Sequence, residues 1–332
     1  MNTHTLKRRL GPFTVTAIGL GCMELNHAYG VPPAPEAAER VLLTALELGV
    51  DYFDTAALYG FGANEELLGR VLAPHRDRFV LATKGGMSGV DGKRVIDGRP
   101  EAIRRNCEDS LRRLRTEIID LYYLHRWDKK VPIADSVGAM AERVREGKVR
   151  AIGLSEVSAA TLRKAQAVHP IAALQNEYSL WTRNPEIAAL ETCRQLGVTL
   201  VAFSPLGRGF LTGALREVSS LAPKDIRCAM PRFAPANYAV NLKLLDGYTA
   251  LAEEAGCGPP QLALAWLLAR GEHVLPIPGT TDVEHLRENL GAREVRLTPD
   301  LIARLDTLIN PHSVAGARYN AATQAEIDSE EF

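Results

Sequence analysis

The 332-residue sequence predicts an α/β protein folded as a (β/α)8 TIM barrel, a single domain over residues 1–332. Three observations carry this. Eight short apolar runs recur along the chain, continuous rather than alternating, as in strands buried on both faces. Between them lie segments with apolar residues at three- and four-residue steps, the helical period. No GxGxxG follows an early strand, which disfavours a doubly wound sheet, the other fold with this alternation; "GRGFLTG" at 207–213 only approaches that pattern.

The strand-like runs are "TAIGLGC" (16–22), "YFDTA" (52–56), "VLATK" (80–84), "LYYLH" (121–125), "VRAIGLS" (149–155), "ALQNEYS" (173–179), "TLVAFSP" (199–205) and "VLPIPG" (274–279). Helices are expected over 35–49, ending at Gly49, and over 99–114, where Pro100 stands near the start and its missing donor costs nothing. Further helices are expected over 132–148, 159–169, 185–197 and 259–271, with an extra one over 240–256. The chain exceeds the ~250 residues typical of the fold, so long loops are expected near 206–239 and at the C-terminus. "TLKRRLG" and "PFTVTAIG" are expected to form an N-terminal hairpin closing the barrel bottom. No internal repeat or low-complexity tract is seen.

The net charge of −1 offers no footprint for nucleic acid or an anionic membrane. No run reaches the ~18 apolar residues of a membrane span, and "MNTHTLKRRLGPFTV" lacks the apolar stretch of a secretion signal. The five cysteines show no CxxC spacing, so neither a metal site nor a disulfide framework is expected, and a reducing cytoplasm is the expected location.

In such a barrel the C-terminal strand ends form the active face. The second carries Asp54 and, just beyond, Tyr59; the third Lys84; the fourth His125, followed by Arg126 and Trp127. Each alone has a bland explanation: a turn acid, a rim aromatic, a solvated lysine, a satisfied barrel-end histidine. Together they come from three consecutive strand ends, which are neighbours in a barrel. No serine is placed with the histidine for nucleophilic catalysis, and no carboxylate pair serves glycoside hydrolysis. The set does suit protonation of a carbonyl oxygen. A free tyrosine titrates near ~10, and a lysine beside it lowers that value. A carboxylate holds the lysine charged, and a histidine orients the substrate oxygen. No side chain supplies a hydride, so a nicotinamide cofactor is implied.

At these motifs the sequence resembles the aldo-keto reductases. "GLGCM" (19–23), "FDTAALYG" (53–60), "ATK" (82–84), "YYLHRWD" (122–128), "IGLSE" (152–156), "LQNEYSLW" (174–181), "FSPLGRGFLTG" (203–213) and "PIPGTTDVEHLREN" (276–289) occur in that family's order. The likeness runs from about residue 6 to about 310 and is closest to the bacterial and plant branch related to potassium-channel β-subunits. It implies Tyr59 as the acid, Lys84 and Asp54 as its partners, and His125 as the orienting group. It implies that Ser155 and Gln175 grip the nicotinamide carboxamide and that Phe203 stacks on the ring, where many relatives have tyrosine. Glu156 stands where asparagine is usual. Gly21, Cys22 and Met23 line the cofactor path. The pyrophosphate region matches Ser204, Leu206, Gly207, Arg208 and Gly209, and the adenine end Glu288 and Asn289.

The resemblance favours NADP(H). The loop that grips the 2′-phosphate is usually basic, but here Gly279, Thr280, Thr281 and His285 accompany Asp282, whose charge would repel a phosphate unless turned away. Weaker than usual selectivity is therefore expected, with NAD(H) not excluded. Met23, Trp127, Trp181 and the "GARYN" segment (316–320), including Arg318, are expected to wall the substrate pocket. A small-molecule carbonyl is the expected partner; oligomeric state is not readable. Two other readings stay open: a nucleotide-binding, redox-sensing module with little turnover, and a barrel aldolase or isomerase using Lys84 as a Schiff-base nucleophile.

Overall fold

Two strands, β1 (Lys7–Leu10) and β2 (Phe13–Thr16), pair antiparallel around Gly11 in the computed structural model, which describes residues 6–26 and 28–332, the side chain of Val90 apart. Gly11 has a positive φ of 56°, and a Cβ there would meet Ala172 Cβ at 2.5 Å, so the tight turn requires glycine. Leu10 and Val15 of this hairpin pack with the barrel-interior residues Tyr52, Leu121, Tyr123, Val201 and Leu275. The expected plug at the barrel bottom is formed this way.

The chain continues through β3 (Leu20–Gly21), β4 (Tyr52–Asp54), β5 (Val80–Gly85), β6 (Met87–Val90), β7 (Lys93–Ile96), β8 (Ile119–Leu124), β9 (Val149–Ser155), β10 (Ile171–Glu177), β11 (Thr199–Phe203) and β12 (Val274–Pro276). All but the N-terminal hairpin and β6–β7 form one parallel sheet, ordered β3-β4-β5-β8-β9-β10-β11-β12. It closes on itself: Gly21 bridges Gly279, and Gly19 N and Gly21 N donate to the Pro276 and Pro278 carbonyls at 3.1 Å each. A Cβ at position 21 would stand 2.9 Å from Ile277 O, so the close approach that seals the barrel depends on "GLG". The two sealing strands are shorter than the apolar runs that predicted them.

Around the barrel lie α1 (Pro35–Glu47), α2 (Ala63–Leu72), α3 (Pro100–Leu114), α4 (Ile133–Arg145), α5 (Ala159–Gln166), α6 (Ala189–Leu196), α7 (Pro235–Glu254), α8 (Pro259–Leu268), α9 (Val283–Gly291) and α10 (Pro299–Leu308). Their apolar faces bury the outward strand residues Phe53, Leu81, Tyr122, Ile152, Leu174, Leu200 and Val274 in the main core. The helix expected over 185–197 is split: a 3-10 turn covers Asn184–Glu186 before α6. The extra helix starts five residues earlier than expected, at Pro235, and the long loop before it carries four 3-10 turns. The β6–β7 hairpin was not anticipated. Its tip is Asp91–Gly92, both with positive φ, a turn signal present in the sequence. Among the described residues no helix is long and apolar enough to cross a membrane.

Strand alternation positions the site. Tyr52, Ala82, Leu121, Tyr123, Ala151, Ala173 and Val201 face the barrel interior. Two residues on, the next inward positions are Asp54, Lys84, His125, Gln175 and Phe203, and Ser155 stands four residues beyond Ala151 on the same face. A ring of polar groups and one aromatic therefore caps an apolar barrel.

Candidate active site

Asp54 and Lys84 are both buried and form an ion pair. Lys84 Nζ also donates to Thr55 O at 2.9 Å and to Tyr59 Oη at 3.2 Å. Gln175 Nε2 and Tyr52 Oη donate to the other carboxylate oxygen of Asp54 at 2.7 and 3.2 Å. Tyr52 Oη is in turn 3.2 Å from Tyr123 Oη. The carboxylate is thus satisfied on both oxygens, as a buried acid must be. Burial pulls the Lys84 ammonium down, but Asp54 and then Tyr59 outweigh it and hold it above its usual range.

Tyr59 leaves β4 through a turn in which Gly60 and Phe61 adopt positive φ of 56° and 53°, folding the phenol back over the barrel mouth. His125 stands edge-on to its ring, centroids 5.7 Å apart at 86°. Lys84 lowers the Tyr59 phenol as expected, but burial is the larger effect, and the phenol lies above its ordinary value. The expectation of a lowered value is corrected by desolvation. Burial, followed by the charges of Arg126, Lys84 and Arg94, holds His125 well below its ordinary range, so the imidazole is neutral near pH 7. Its buried Nδ1 has no hydrogen-bond partner among the described residues.

A cavity of about 710 Å³ opens here. At one end it is lined by Asp54, Tyr59, His125, Ser155 and Gln175. Lys84 lies behind this wall, which leaves the Schiff-base reading without an accessible amine. Gly21, Cys22 and Met23 line the adjoining side, then Phe203, Ser204, Leu206, Arg208 and Gly209. The far end is formed by Gly279, Thr280, Thr281, His285, Glu288 and Asn289. The loop after β11 curls because Ser204, Gly207, Arg208 and Gly209 all have positive φ. Gly207 turns toward Trp181 and does not line the cavity. This elongated cavity, polar at the catalytic end and rimmed by a tight loop and the start of α9, fits a dinucleotide.

Asp282 is turned onto its own helix. Its carboxylate accepts from Glu284 N at 2.7 Å and His285 N at 3.1 Å, capping α9, and these bonds hold it below the usual carboxylate range. Glu156 is likewise committed elsewhere. It is buried, has a positive φ of 55°, and pairs with Arg318; its N–H donates to Asn176 Oδ1 at 2.9 Å.

Of the expected substrate wall, Met23, Tyr319 and Asn320 line the cavity, whereas Trp127, Trp181 and Arg318 do not. Trp181 is buried against Phe210, rings stacked at 4.2 Å, and edge-on to Phe233. Trp127 Nε1 donates to Val131 O at 2.9 Å, and its ring packs on the core. Arg318 is drawn inward by Glu156. Leu58, Met87, Arg94 and Thr323 line the cavity as well. Tyr319 and Asn320 lie within the expected segment, one and two residues from Arg318; Met87 and Arg94 come from the unanticipated hairpin.

Fold and site together define a barrel enzyme built for oxidoreduction with a nicotinamide dinucleotide. The comparisons make the class specific: a model of the Aldo/keto reductase family matches residues 17–310, and the chain belongs to that family. It is 41% identical over 327 residues to the NADP(+) aldo-keto reductase yakc of Schizosaccharomyces pombe, covering 96% of each chain. Among solved structures it resembles the glycerol dehydrogenase AKR11B4 from Gluconobacter oxydans, with a TM-score of 0.83, 30% identity, and 93% of this chain and 95% of that one covered. It also resembles the aldo-keto reductase AKR11C1 from Bacillus halodurans in its holo form, with a TM-score of 0.77, 28% identity, and 96% and 99% covered.

Proposed function

We propose that this chain reduces the carbonyl group of an aldehyde or ketone, with Tyr59 as proton donor and NADP(H) as the favoured cofactor. The observation that carries the reading is the placement of the Tyr59 phenol on the cavity wall, 3.2 Å from the ammonium of Lys84, beside His125.

A nicotinamide cofactor, when bound, would supply the hydride that the carbonyl carbon takes up. The carbonyl oxygen then becomes basic, and Tyr59 gives it the phenolic proton. The phenolate left behind faces Lys84, whose charge Asp54 secures. Neutral His125 donates a hydrogen bond to the same substrate oxygen and fixes its angle. Ser155 and Gln175, at neighbouring strand ends on the cavity wall, would hold the carboxamide of the nicotinamide, with Phe203 beside the ring. The loop at 204–209 would hold the pyrophosphate, and Thr280, Thr281, His285, Glu288 and Asn289 the adenosine end. The fold of Asp282 onto α9 and the NADP(+) relative both favour NADP(H). Alcohol oxidation uses the same atoms in reverse, and one structural relative is named a glycerol dehydrogenase.

A panel of aldehydes and ketones followed by NADPH and NADH absorbance tests the reading. Tyr59→Phe should lower turnover by about a hundredfold or more while nucleotide binding, read by fluorescence titration, stays intact. Full turnover by that variant would remove Tyr59 as the acid. A kcat/KM with NADH equal to or above that with NADPH would overturn the cofactor preference.

A further inference from the structure

Four arginines line the cavity: Arg94, Arg126, Arg208 and Arg227. Three face a carboxylate, Arg94 that of Glu326, Arg208 that of Glu177 and Arg227 that of Asp225. Arg126 has no carboxylate partner among the described residues. Its Nη1 donates to the His125 carbonyl at 2.7 Å and to Ser155 Oγ at 3.3 Å. Its Nε and Nη2 meet no acceptor among those residues. These two nitrogens form the edge of the guanidinium that takes a carboxylate in bidentate fashion.

The position of this cation is as telling as its solitude. Arg126 follows His125 directly at the end of β8, between the strands that carry Lys84 and Ser155. Its charge reaches both rings of the catalytic end, lowering His125 and Tyr59 alike. The loop assigned to the pyrophosphate follows β11, three strands further round the barrel. The same cavity is also lined by the apolar side chains of Leu58 and Met87. A half-buried guanidinium that lines a partly apolar cavity and has two nitrogens without an acceptor among the described residues favours an anion supplied from outside the protein.

We infer that Arg126 recognises a carboxylate on the substrate, so that the enzyme acts on aldehydes or ketones bearing an acid group a short apolar span from the carbonyl. This rests on the carbonyl-reductase reading above. Arg126 holds one end of the substrate while Tyr59 and His125 hold the carbonyl oxygen.

The test compares para-carboxybenzaldehyde with para-tolualdehyde, which match in size and differ in charge, using the full chain with saturating NADPH. The parent should favour the carboxylated aldehyde in kcat/KM by about tenfold or more, and Arg126→Gln should collapse that ratio toward one. Arg126→Lys should keep part of it, because the charge remains and the fork is lost. Added salt should raise KM for the carboxylated aldehyde alone. No preference in the parent overturns the inference. So does an Arg126→Gln variant that keeps the ratio and only weakens nucleotide binding, the mark of a residue that merely positions Ser155. If neither aldehyde is reduced, the carbonyl-reductase reading fails, and calorimetric titration of both into the nucleotide-loaded chain decides the anion site. Tighter binding of the carboxylated aldehyde, lost in Arg126→Gln, upholds it; equal binding overturns it.

Discussion

The ammonium of Lys84 donates to the phenolic oxygen of Tyr59 at 3.2 Å, yet only Tyr59 lines the cavity. In the proposed reaction Lys84 acts on the substrate through the phenol. Lys84→Met should reduce kcat by about 10²–10⁴-fold with little change in nucleotide affinity. It also leaves Asp54 buried without its cation, so stability should fall by about 3–5 kcal/mol in urea unfolding. Activity must then be normalised to folded protein. Because Lys84 is held above its usual range, the stability it contributes is present below the unfolded value near ~10.4. It is lost only as pH climbs through the folded value. A parent that loses this stability on the acid side instead would contradict the pairing.

His125 has the opposite dependence. Burial holds its folded value well below the unfolded one near ~6.5, so below that pH the unfolded chain binds a proton that the folded chain refuses. Stability contributed by the neutral imidazole is present above the unfolded value and lost as pH falls toward the folded one. Between pH 7 and pH 5 the parent should lose about 1–2 kcal/mol more than His125→Gln, by urea unfolding at both pH values. Equal losses would show that His125 charges freely in the folded state.

Asp282 caps α9 and follows Thr281, which lines the far end of the cavity, so its negative charge stands near the end proposed to take the adenosine. Asp282→Asn keeps a side-chain acceptor for Glu284 N and His285 N but removes the charge. It should raise the NADPH-to-NADH ratio of kcat/KM by about two- to fivefold with little change in Tm. An unchanged ratio would place the 2′-phosphate beyond the reach of this carboxylate.

Arg318 and Glu156 form a buried ion pair linking the segment after α10 to the end of β9. Asp328 N donates to Glu156 O at 2.9 Å, so backbone contact supports the same junction. Arg318→Ala should cost about 3–5 kcal/mol by stranding the Glu156 carboxylate. The double variant Glu156→Gln/Arg318→Met should recover much of that loss, because no unpaired charge remains. A single variant as stable as the parent would mean that Glu156 is reached by water.

The barrel and its catalytic ring were legible because both depend on local periodicity. Continuous apolar runs mark strands buried on two faces, and alternation carries Tyr52 to Asp54, Ala82 to Lys84 and Tyr123 to His125. The hairpin after β5 was readable from Asp91–Gly92, but its role in bringing Met87 and Arg94 to the cavity was not. The absence of Trp181 from the cavity lining has a related reason. Its ring is claimed by Phe210 and Phe233, both well separated from it in sequence.

By itself, then, the sequence determined the eight barrel strands, their order along the chain, and the residues at their C-terminal ends, since each follows from spacing over a few positions. Only the tertiary structure decided which charges are already neutralised. Arg318 and Arg208 meet Glu156 and Glu177, while Arg126, one residue from the catalytic histidine, meets no carboxylate among the described residues. Such pairing depends on carboxylates that arrive from distant parts of the chain, at separations no local pattern encodes. The same holds for the Tyr59 phenol: its partner was readable, but the burial that outweighs that partner exists only once the barrel has closed.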